Sequence, residues 1–170
     1  MRKFGSLGLK LLKMSHILMI VFFLGGILSS FALLLKLDLS NYADVYMNYR
    51  IFNIISDNVV EIGAQGTIVL GAVYGFFTEW GFVRYKWLAV KWILFIIQTL
   101  VGILVVDKLM AANTALLETE NVLALSDPAF LHNHYLRLYV VIAQIGLTLV
   151  ALILSVLKPG RSRVSAESIG

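Results

Sequence analysis

Four long apolar runs, parted by shorter polar stretches, dominate the chain. They cover residues 9–35, 55–77, 87–106 and 135–157. About 20 apolar residues cross a bilayer as a helix, so each run is long enough to span. Polar residues within the runs recur at helical spacings and do not alternate, which predicts helices and not barrel strands. Before the fourth run, Ser126-Asp127-Pro128 reads as a helix start. Ser126 or Asp127 caps it, and Pro128 occupies a first-turn position that needs no N–H donor. The fourth helix is therefore expected over 128–157.

The expected fold is all-α: one membrane domain over 1–170, built as a bundle of four transmembrane helices. Residues 36–54 and 107–127 form connections on one side, 78–86 a turn on the other, and 159–170 a polar tail. Tyr42, Tyr46 and Tyr49 suit a headgroup region. The apolar stretch 111–125 is suited to lie on the membrane surface as a helix. The first run follows Arg2 and Lys3, and Ser30-Phe31-Ala32 would pass as a cleavage site. The run is nevertheless too long for a signal-peptide core and reads as a true helix.

Charge placement sets the orientation. Of 14 Lys and Arg residues, ten fall on one side: Arg2, Lys3, Lys10, Lys13, Arg84, Lys86, Lys91, Lys158, Arg161 and Arg163. The other side holds Lys36, Arg50, Lys108 and Arg137. The positive-inside rule then puts both termini in the cytoplasm. Overall, 59% of residues are hydrophobic and 14% charged, against about 25% charged in soluble domains. There is no Cys, which excludes disulfides, thiolate metal sites and Cys nucleophiles. Walker, dinucleotide-binding, zinc-protease and nucleophile-elbow signatures are absent. The cations follow membrane topology and form no contiguous patch, which argues against nucleic acid.

Each helix carries one polar or small-residue stripe. The second aligns Asp57, Glu61, Ala64, Gln65, Ala72 and Gly75. The third places Gln98 and Gly102 within about 20° of Lys91. The fourth aligns Arg137, Gln144, Thr148, Ala151 and Ser155, and the first pairs His16 with Ser30, with Gly26 at the edge. Such stripes turn toward a bundle interior, where packing and helix–helix hydrogen bonds are their simplest use. His16 and Lys91 share a level near the cytoplasmic side, and an intramembrane His is a candidate metal or haem ligand. Lys91 either snorkels to the headgroups or faces inward as a ligand or base. Asp57, Glu61, His132, His134 and Arg137 gather nearer the outer side. Glu61 and Arg137 are expected to form a buried ion pair, and His134 is the better placed of the two outer His for a second site.

The segment Leu9-Lys10-Leu11-Leu12-Lys13-Met14-Ser15-His16, followed by Phe23-Leu24-Gly25-Gly26, resembles the first helix of the HemJ-type protoporphyrinogen oxidases and CopD-type membrane proteins. Trp87-Leu88-Ala89-Val90-Lys91 resembles the start of their third helix. Gly75-Phe76-Phe77 with Trp80-Gly81 resembles a turn in a related group of uncharacterised bacterial membrane proteins. The resemblance covers mainly residues 9–30 and 70–105. It implies a bacterial inner-membrane haem oxidoreductase binding haem b through His16 and Lys91, with quinone or porphyrin as redox partner. Gln98, Gly26, Gly75 and Ser155 are expected to border that site. The third helix lacks the later His of the HemJ pattern, and the stretch 110–133 is not part of it. Two other readings compete. One is copper binding or transport through Met14, His16 and Met19. The other is a non-catalytic membrane subunit or small-molecule binder; lining a wide pore with four spans would take several copies of the chain.

Overall fold

A computed structural model describes residues 5–77 and 85–159, and within them the chain is helical with no strand. Helix α1 is Ser6–Lys36. A tight turn follows, in which the Asp38 carboxylate accepts hydrogen bonds from the Ser40 amide (2.9 Å) and hydroxyl (2.7 Å). Those two bonds hold the exposed Asp38 below the usual carboxylate range. Asn41 caps α2 (Tyr42–Ile55) by accepting from the Asp44 amide. A π-turn, Ser56–Val60, passes straight into α3 (Glu61–Phe77). Helix α4 (Lys86–Val101) continues through a second π-turn, Gly102–Val106, into α5 (Asp107–Glu120) and a 3-10 segment, Asn121–Ser126. Helix α6 is Pro128–Leu157, capped by Asp127 with Pro128 in its first turn, as the sequence predicts. The expected 78–86 turn falls largely outside the described residues, as does almost all of the 159–170 tail.

Four helical segments are long and apolar enough to cross a membrane: Ser6–Lys36, Tyr42–Phe77, Lys86–Ser126 and Pro128–Leu157. Two differ in extent from the sequence expectation. Residues 36–54 and 107–127, read as connections, are mostly helix and prolong the second and third spans. At 36 and 41 residues, these segments measure about 54 and 61 Å, against a hydrocarbon core of about 30 Å. The excess is helical because it is amphipathic. Val45, Tyr49 and Phe52 share one face of α2, and Met110, Asn113 and Leu117 one face of α5, and all six are buried. Charged residues on the opposite faces had broken the hydropathy runs.

Most of the buried hydrophobic residues fall into two clusters. One joins Leu34, Val45, Tyr49, Phe52, Met110, Leu117, Ala124 and Phe130 at the α2–α5 end. The other, Phe23, Ile27, Ala64 and Val141, lies within the apolar bundle. Around it Ile17, Val69, Ile93, Leu100, Val150 and Ile153 remain exposed, as lipid-facing residues do. In lipid, close packing replaces the hydrophobic effect between helices. Helices α1 and α3 meet through Gly63, where a Cβ would run into the Phe23 backbone, and through Gly66, where it would overlap the Met19 side chain.

Candidate functional site

The two π-turns lie on one cavity. A chamber of about 220 Å³ is lined by Ser56 and Val60 of the first turn, Gly102, Ile103 and Val106 of the second, and the flanking Glu61 and Asp107. Phe23, Ile27 and Ser30 of α1 and Arg137, Val141 and Gln144 of α6 complete its wall with Ala64, Gln65, Gln98, Thr99 and Met110. π-turns are rare and recur at functional sites. Here their geometry selects the lining. In a regular helix Ser56 and Glu61, five residues apart, diverge by about 140°. The π-turn joins the Glu61 amide to the Ser56 carbonyl, which turns both toward the chamber. The Asp107 amide bonds the Gly102 carbonyl in the same way. The Ser56 hydroxyl then donates to Asp107 Oδ1 at 2.8 Å and ties the two turns together.

Arg137 is 2% exposed. Its guanidinium carbon lies 3.9 Å from the Phe52 ring centroid and 5.8 Å from that of Tyr49. Its Nε and Nη1 are buried with no hydrogen-bond partner. Among the described residues no carboxylate oxygen comes within 4.0 Å of it. The expected Glu61–Arg137 ion pair is therefore not formed. Glu61 is exposed and accepts instead from Gln65, one turn on, at 2.7 Å. Asp57 is exposed, because the π-turn hands its place on the chamber wall to Ser56.

Gln98 is buried where α4 meets α6. Its Oε1 accepts from the Thr148 hydroxyl at 2.7 Å, and its backbone carbonyl accepts from Gln144 Nε2 at 3.1 Å. Its own Nε2 is buried without a partner. The α6 stripe thus faces inward as predicted through Arg137, Gln144 and Thr148. Ser155 bonds its own helix at Ala151.

His134 belongs to the core. It is stacked on Phe130, and its Nδ1 lies 3.1 Å from the Tyr49 hydroxyl, which also accepts from Asn113 at 2.9 Å. His132, two residues away, is exposed. Tyr49, expected in a headgroup region, is instead fully buried in the core, and Asn113, Ser56 and Asp107 were not singled out by the sequence pattern.

His16 and Lys91 sit elsewhere, toward the end where α1 and α4 begin. Both are half-buried, and they lie near enough to interact electrostatically. His16 Nδ1 is buried without a partner. At Gly71 of α3 a Cβ would lie 3.2 Å from the Trp92 ring and 3.5 Å from His16 Cε1. The absent side chain lets both rings approach α3. Lys91 Nζ lies 6.0 Å from the Trp87 ring, one turn back along α4. Gly26, expected beside a cofactor, instead admits Val59 and Val60 of the first π-turn. Gly75 lies near the end of α3. Met14 is exposed and Met19 is spent against Gly66, so Met14, His16 and Met19 do not assemble as a copper set. Among the described residues no three His, Asp or Glu side chains cluster as metal ligands.

No family model, no curated protein and no solved structure matches this chain. The resemblance to HemJ- and CopD-type proteins accordingly rests on the residues of the first three spans quoted above.

Proposed function

We propose that this chain is a multi-pass membrane protein that binds a small polar molecule in the chamber between its helices. The observation that carries the reading is a set of unsatisfied donors: Nε and Nη1 of Arg137 and Nε2 of Gln98 are all buried without partners, on residues that line one cavity. Buried polar groups are almost always hydrogen-bonded, and ionisable side chains inside membranes mark substrate or ion pathways. A cavity of about 220 Å³ is below the roughly 300–1,000 Å³ of drug-sized sites, so the occupant is small. The distribution of Lys and Arg supports cytoplasmic termini in a bacterial inner membrane, with the α2–α5 end outward.

The chain has no native Cys, which makes accessibility directly measurable. Thr99→Cys and Ser30→Cys place near-isosteric thiols on the chamber wall. Reaction of either with a small neutral thiol reagent in intact membranes is expected. If both react only after denaturation, the chamber is closed to solutes and the reading fails.

A second reading is favoured by the orphaned Nδ1 of His16 and the nearby Lys91. The donor set suits haem b, with His16 as axial ligand and Lys91 as second ligand or base. Bound haem would supply one-electron chemistry toward a quinone or porphyrin. Purified protein from haem-replete cells is then expected to show a Soret band that His16→Ala removes. No band before or after haem addition rejects it.

A further inference from the structure

Resting on the chamber reading above, we infer that the occupant is a small zwitterion of the free amino-acid class. Its carboxylate is held by Arg137 and Gln98, and its ammonium by Asp107 and Glu61. Three features of the wall carry this. The unpartnered atoms of Arg137 and Gln98 are all N–H donors, so they call for an acceptor, and hydrogen bonds donated by a charged guanidinium are strongest to a carboxylate. Arg137 rests on Phe52 and has no carboxylate within 4.0 Å among the described residues, so its charge is not neutralised by direct contact. The same wall carries Asp107 and Glu61, whose known side-chain donors are the Ser56 hydroxyl and the Gln65 amide.

Both signs of charge narrow the choice. A simple anion on Arg137 would enter a chamber that already holds two carboxylates. A simple cation on those carboxylates would leave the three donors unsatisfied, and each unmade buried hydrogen bond is costly. A molecule carrying both groups answers both halves of the wall. The small volume fits an amino acid with a short side chain.

The test uses Thr99→Cys, with Ser30→Cys as the second site should the first not fold. The labelling rate by methyl methanethiosulfonate is measured in proteoliposomes with glycine, acetate or methylamine present at equal concentration. Glycine unites the two charged groups that acetate and methylamine carry singly. Glycine is expected to slow labelling several-fold while the single-charge compounds have little effect. Adding Arg137→Gln or Asp107→Asn should abolish the protection. Protection by acetate or methylamine equal to that by glycine overturns the inference. So does labelling that proceeds unaffected by glycine, and so does protection that survives both substitutions. A thiol that never reacts in the folded protein instead defeats the chamber itself, so the two failures are distinguishable.

Discussion

The guanidinium carbon of Arg137 lies 3.9 Å from the centroid of the Phe52 ring. A cation over an aromatic face is attracted by the ring quadrupole, worth about 2 kcal/mol or more when desolvated. That attraction does not offset the desolvation of a buried charge, which costs several kcal/mol. Arg137 therefore carries a desolvation cost that its contact with Phe52 does not repay. Arg137→Met, which keeps the length and removes the charge, is expected to leave the melting temperature in detergent unchanged or higher. Phe52→Ala empties a fully buried site and should cost about 3–5 kcal/mol. A large loss of stability in Arg137→Met would make the guanidinium a structural element.

The Gln98–Thr148 contact is a direct hydrogen bond between α4 and α6 (2.7 Å). Hydrogen bonds between membrane helices average about 0.6 kcal/mol and reach about 1.7. Thr148→Val keeps the shape, removes the donor and leaves Gln98 Oε1 buried without it. The expected loss is about 1 kcal/mol. Combining it with Gln98→Leu should cost less than the two single losses added together, because one partner is no longer stranded. A double-mutant cycle of unfolding in mixed micelles measures the difference. Strict additivity would mean that the two side chains do not interact.

Glycines separate close packing from spare room. Gly63→Ala drives a Cβ into the Phe23 backbone, which cannot swing aside, whereas at Gly25 an added Cβ meets nothing within 4 Å. Overpacking typically costs about 1–3 kcal/mol. Gly63→Ala is expected to lower thermal stability by that order, and Gly25→Ala to be silent or slightly stabilising through helix propensity. Melting curves of the two variants side by side settle which glycines hold α1 against α3.

The four apolar spans, the Asp127-Pro128 start and the inward stripe of α6 were all legible in the sequence, because regular helix periodicity and capping chemistry are local. The chamber was only half legible. Glu61, Gln98, Gly102 and Arg137 stood out as polar or small residues on inward faces. Ser56 and Asp107 did not, because each is brought into line across a π-turn that breaks the 3.6-residue phase on which the stripes were traced. The same shift moved Asp57 off the wall. Tyr49 and Asn113 were hidden for another reason. Tyr49 lies in a stretch suited to headgroups and Asn113 in one suited to a surface helix, and their burial depends on α2, α5 and α6 meeting in three dimensions.

Tyr49 joins the core at the α2–α5 end to the chamber. Its hydroxyl accepts from Asn113, lies 3.1 Å from His134 Nδ1, and is a polar neighbour of Arg137. Its ring packs against Phe52 and Phe130. Tyr49→Phe keeps the ring and deletes one oxygen from a fully buried network. Stranding buried partners costs about 1–3 kcal/mol. The half-buried Tyr42 hydroxyl donates to the Leu117 carbonyl at 2.9 Å, and its loss in Tyr42→Phe should cost only about 0.5–1.5 kcal/mol. Urea or thermal unfolding in detergent is expected to rank Tyr49→Phe clearly below Tyr42→Phe. Because Arg137 keeps its charge and its seat on Phe52 in Tyr49→Phe, glycine protection of the Thr99→Cys thiol should persist there while Arg137→Gln removes it. Equal loss of protection in both would mean that the Tyr49 hydroxyl, and not the Arg137 guanidinium, meets the bound molecule.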